Sequence, residues 1–94
     1  DALNRLSPTI GSRVAHAAAL AELGRLDEAG AGLTSIAAPL VAAYAPYWVV
    51  AGHIAFLRGN GDEGGVALRR AIELTSDRAL REHLARELAA QATR

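Results

Sequence analysis

Residues 24–33 and 59–68 carry the same pattern, and this repetition constrains the chain more than any other feature. Gly24-x-x-x-Glu28-Ala29-x-x-x-Leu33 returns as Gly59-x-x-x-Glu63-Gly64-x-x-x-Leu68, displaced by 35 residues. In the same register Leu20 maps onto Ala55 and Ile36 onto Ala71. Self-similarity at a fixed period means one supersecondary unit stacked on its copy. The chemistry of the repeated positions suits a helix–turn–helix unit. Small residues at 29 and 64 let paired helices approach closely, and leucine at 33 and 68 fills the groove between units. The turn glycines take the left-handed conformation that ends a helix.

Local punctuation predicts five helices, over 9–23, 27–38, 46–58, 62–75 and 77–92. Ser7-Pro8 reads as a helix start, with serine as cap and proline in the first turn. Gly24 closes that helix, Asp27 caps the second, and Pro39 stops it. Residues 39–45 read as a connector. Pro46 opens the third helix, Gly59-Asn60-Gly61 breaks it, and Asp77 caps the last. There Leu80, Leu84 and Leu88 form an i, i+4, i+8 stripe. Composition agrees: 22 alanines favour helix, and β-branched residues form no alternating run. A helix–turn–helix repeat of about 34 residues is the tetratricopeptide signature. Trp48, Gly52, Gly59, Gly64, Leu68 and Ala71 occupy its characteristic positions in the second copy. The expected fold is all-α, a single domain over 1–94. It has two tetratricopeptide-like antiparallel hairpins, about 9–43 and 45–78, and a C-terminal capping helix over 77–92.

Charge narrows the function classes. Ten arginines face ten acidic residues, four of each sign in 1–61 and six of each in 62–94. A nucleic-acid surface needs a one-sided basic patch, so no direct nucleic-acid contact is expected. The chain has no cysteine, which excludes disulfides and thiolate metal sites and suits a reducing cytoplasm. The longest apolar stretch, Ala42–Ala51, is far shorter than the roughly 20 residues of a membrane span. No segment reads as a signal peptide. The opening Asp1-Ala2-Leu3 reads as the middle of a helix, and the chain as a piece of a longer protein.

The second half also resembles a known family. Ala43-Tyr44-Ala45-Pro46-Tyr47-Trp48, Gly59, Arg70-Ala71-Ile72-Glu73-Leu74-Thr75-Ser76-Asp77 and Arg81-x-x-Leu84-x-x-x-Leu88 resemble the C-terminal extension of extracytoplasmic-function RNA polymerase sigma factors. The entry segment, Asp1-Ala2-Leu3-x-Arg5-Leu6-Ser7-Pro8-Thr9-Ile10, is similar too. The family's first helix carries an Asn-Arg pair where this chain has Arg13 alone, and its closing helix an aromatic where this chain has His83. The resemblance implies a bacterial, cytoplasmic, non-catalytic domain that modulates transcription initiation. Its partners would be the sigma factor's own domains, polymerase or a regulator. The alternative is a generic tetratricopeptide adaptor that binds a peptide or partner helix.

Candidate chemical residues are few. His16, His53 and His83 fall on three helices with no His-x-x-x-His pair and no acidic residue at ligand spacing, so no metal site is expected. His83 reads as a buried substitute for an aromatic. Ser7, Ser12, Ser35 and Ser76 have no base in their local context. Asp62-Glu63 reads as acids complementing a helix dipole. The glycines of 59–65 lack the Lys-Ser/Thr of a phosphate loop. Neither a catalytic residue nor a cofactor is expected. Tyr44, Tyr47 and Trp48 are the candidate partner-binding cluster, with inter-repeat packing as the competing role. Arg69, Arg70, Arg78 and Arg81 read as solvated, paired with Glu73 and Glu82.

Overall fold

The computed structural model describes residues 2–36 and 38–92, and the side chains of 10–36 and 38–91. Among them are six α-helices and no strand: α1 (Ala2–Glu22), α2 (Leu26–Thr34), α3 (Ala38–Val41), α4 (Ala45–Leu57), α5 (Gly61–Leu74) and α6 (Arg78–Ala92).

The two glycine turns have the same construction. Gly24 has φ 82° and Gly59 φ 84°. The N–H of Arg25 donates to the carbonyl of Leu20 at 2.9 Å, and that of Asn60 to Ala55 at 2.8 Å. Inside each of these, Gly24 donates to Ala21 and Gly59 to Phe56, both at 3.0 Å. This nested pair is the Schellman motif, which satisfies carbonyls that a helix end leaves without partners. The following residues then adopt nearly equal dihedrals, φ −90° and ψ 65° at Arg25, φ −96° and ψ 68° at Asn60. The repeat in the sequence is thus a repeat in backbone geometry.

Packing centres on α4. It is apolar on every side, with His53 its only strongly polar residue, as befits a helix surrounded by others. One core cluster gathers Val14, Ala17 and Leu20 of α1, Leu33 of α2, Val41 of α3 and Ile54 of α4. The second gathers Leu68, Ala71 and Leu84, flanked by Trp48, Phe56, Ile72, Leu80 and Leu88. Leu84 is 1% exposed, so the closing-helix stripe does cover α5. Along α4 and α5, Phe56 meets Gly64 near the turn and Gly52 meets Leu68 one turn further away. The two helices therefore run antiparallel. Gly52 and Gly64 are the positions where a Cβ would strike the partner helix, at 3.0 Å from the Leu68 side chain and 2.8 Å from the Phe56 ring.

Several boundaries differ from expectation, each for a local reason. Helix α1 runs unbroken through Pro8, so Ser7-Pro8 is not a start; the Ser7 side chain lies outside the described residues. Pro8 there removes one backbone hydrogen bond without ending the helix. Arg25, not Asp27, is the N-cap of α2, and Asp27 sits in its first turn. Helix α2 stops at Thr34, before Pro39, and the Ser35 hydroxyl there donates to the Gly32 carbonyl at 2.7 Å. Within the expected connector, Pro39 sits in the first turn of the short α3. Asp77 does cap α6, accepting a hydrogen bond from the Leu80 N–H at 3.2 Å. No helix is long and apolar enough to cross a membrane among the described residues.

Candidate functional site

The aromatic residues divide between two tasks. Tyr44 packs against the first core cluster, beside α1, where a Cβ on Gly11 would lie 3.5 Å from its hydroxyl. Tyr47 and Trp48 meet edge to face, with centroids 5.1 Å apart and planes at 88°. The Trp48 indole N–H reaches back to the connector, donating to the Val41 carbonyl at 3.1 Å and to the Ala42 carbonyl at 3.3 Å. Arg70 donates to that same Ala42 carbonyl at 3.2 Å and lies 3.5 Å from Glu73. Trp48 therefore ties the segment around α3, which leads from α2 to α4, back onto α4, with α5 adding a second hold. Its ring also borders the second core cluster.

Tyr47 and Trp48 line an open groove of about 700 Å³ between α2 and α5, with α4 as its floor. Leu33, Ala51 and Val66 supply its apolar surface, and Val66 is 61% exposed. Arg58, Asp62 and Glu63 stand at one end. Arg58 spans toward α2, with Nη2 3.4 Å from Asp27. Asp62 and Glu63 occupy the first turn of α5, where carboxylates complement the positive end of the helix dipole. Two of the three candidate aromatics thus share one surface, and Tyr44 does not.

No protein-family model, curated protein or solved structure matches this chain.

The histidines form a cluster that helical spacing alone did not point to. His53 of α4 and His83 of α6 both donate Nε2–H to Glu87, at 2.6 Å to Oε2 and 2.9 Å to Oε1. His83 is exposed, not a buried replacement for an aromatic, because position 83 falls beside the Leu80–Leu84–Leu88 stripe and faces Glu87 one turn on. The sequence signal was available in the i, i+4 spacing of His83 and Glu87; the arrival of His53 from 34 residues away was not. Among the described residues no group of three or more His, Cys, Asp or Glu is arranged to hold a metal ion. Arg70 pairs with Glu73 as expected, whereas no ion pair joins Arg78 or Arg81 to Glu82 among the described residues.

A second, smaller hollow lies between α1, α4 and α6. Its volume is about 310 Å³, and Ala18, Ala21, Val50 and Phe56 form its apolar part. Glu22, His53, Leu57 and Gln91 surround it. No single stretch of sequence marks the hollow, because its lining comes from three helices and it exists only where they meet.

Proposed function

We propose that this chain is a non-catalytic protein-interaction and regulatory domain. Its leading form is the C-terminal extension of a bacterial extracytoplasmic-function sigma factor, acting on transcription initiation. The observation that carries the interaction reading is the groove holding Tyr47, Trp48 and exposed Val66 between α2 and α5. Aromatic side chains in a wide, open apolar groove suit a partner's helix or extended segment. The sigma-factor form rests on the sequence resemblance over Ala43–Leu88.

The matched Schellman turns at Gly24 and Gly59 favour a second form, a tetratricopeptide-like pair of hairpins with α6 as cap serving as a general adaptor. Photo-crosslinking tests both. With p-benzoylphenylalanine at position 47 or 66 in the organism that encodes the chain, crosslinks to polymerase or to sigma promoter-binding segments support the leading form. Crosslinks to an unrelated protein support the adaptor. No crosslink from either position removes the groove as an interface.

A further inference from the structure

The hollow between α1, α4 and α6 carries a carboxylate at an electrostatically unfavourable position. Asp27 and Glu28 sit in the first turn of α2 and Asp62 and Glu63 in that of α5, while Glu73, near the end of α5, lies 3.5 Å from Arg70. Glu22 is instead the last residue of α1, against the negative end of that helix's dipole. Helix α4 ends beside it at Leu57, on the same hollow. Neither helix has a basic residue in its last turn. The nearby cations in sequence are committed elsewhere: Arg25 lies 2.6 Å from Glu28 and Arg58 reaches Asp27. His53, on the hollow's wall, is engaged by Glu87. Among the described residues Glu22 has no ion pair, so a carboxylate and the negative ends of two helix dipoles lie at the rim of an apolar depression.

That depression is small and open on one side. Its volume of about 310 Å³ suits one large side chain rather than a whole segment. Leu57, 61% exposed, stands on its rim, and Leu23, 72% exposed, follows Glu22 directly. Positions where a local rule fails are where functional or strained sites are expected.

We propose that this hollow is an anchor pocket for a basic amphipathic helix of a partner protein. The helix buries one leucine- or phenylalanine-sized side chain over Val50 and Phe56 and sets an arginine or lysine one turn away against Glu22. Charge complementarity selects this occupant. An acidic peptide or an anionic membrane surface would meet repulsion from Glu22 and both helix ends. The inference goes beyond the groove at Tyr47 and Trp48, which shares only α4 with this hollow and none of its lining residues, and holds whichever form of the proposed function applies.

The test uses the whole ¹⁵N-labelled chain and three synthetic helical peptides of ~16 residues, long enough to form helix. The first carries a single leucine flanked by arginines at i±3 and i±4. The second replaces the arginines with glutamate, and the third replaces the leucine with alanine. The first should cause saturable amide shifts around Ala18, Glu22, Val50 and Leu57. Loss of the leucine should weaken binding about tenfold or more. The Glu22→Gln chain should bind roughly two- to fivefold less tightly at low salt. Leu57→Ser, at an exposed rim position, should also weaken binding with the fold intact. The proposal is overturned by no saturable shift up to ~1 mM peptide or by shifts confined to Tyr47 and Val66. Equal binding of the arginine and glutamate peptides, or unchanged affinity in Glu22→Gln, overturns it as well.

Discussion

The ring of Phe56 occupies the place where a side chain on residue 64 would begin: a Cβ built on Gly64 lies 2.8 Å from two of its carbons. In the first repeat the equivalent positions are Ala21 and Ala29, so the second repeat has shifted volume from α5 to α4. Gly64→Ala should destabilise the chain by about 1–3 kcal/mol through overpacking. Phe56→Ala alone should cost about 3–5 kcal/mol. The double variant should cost clearly less than the sum, since the new methyl occupies space the ring vacates. Urea unfolding of the four proteins measures the coupling, and strict additivity would show that the two residues do not compete.

Gly24→Ala and Gly59→Ala test a different cost. Neither Cβ would meet anything within 4 Å, so the penalty is backbone strain alone at φ 82° and 84°. Each should lose about 1–2 kcal/mol, and the two should add because the turns share no partner. A markedly larger loss at one site would mean that one turn does more than end a helix.

Trp48→Phe keeps a large ring but removes the N–H that holds the Val41 and Ala42 carbonyls. About 1 kcal/mol of stability should be lost, with faster amide hydrogen exchange concentrated in residues 38–44. Unchanged exchange there would show that Arg70 and the core contacts hold the connector without the indole.

Leu84 is the central residue of the stripe that closes α6 over Leu68 and Ala71. Leu84→Ala should cost about 2–4 kcal/mol. Deleting residues 78–94 should expose that cluster and yield an aggregating or molten species. A truncated chain that stays monomeric and melts cooperatively near the parent temperature would show α6 to be a detachable arm.

The chain should also lack intrinsic DNA affinity, because its two halves each balance their charges and counterion release has little to act on. Salt-sensitive binding to a random duplex in the micromolar range by fluorescence anisotropy would contradict this.

What could be read from the residues alone was local or strictly periodic. The turns at Gly24 and Gly59 follow from a short stretch of backbone and the absence of a Cβ, so a 35-residue echo in sequence became an echo in geometry. The stripe of Leu80, Leu84 and Leu88 and the Asp77 cap likewise need only neighbours within two turns. Helix starts were harder, because Pro8 and Pro39 are compatible with helix and break it only when nothing else sustains the turn. Tertiary structure alone decided which distant residues meet. It sent Tyr44 toward α1 and Tyr47 and Trp48 to a groove, although the three lie within five positions of one another. It brought His53 to Glu87, and it left Glu22 at the edge of an apolar hollow without an ion pair among the described residues. Periodicity tells which face of a helix is apolar; it does not tell which helix that face will find, and sites at three-helix junctions depend on the second.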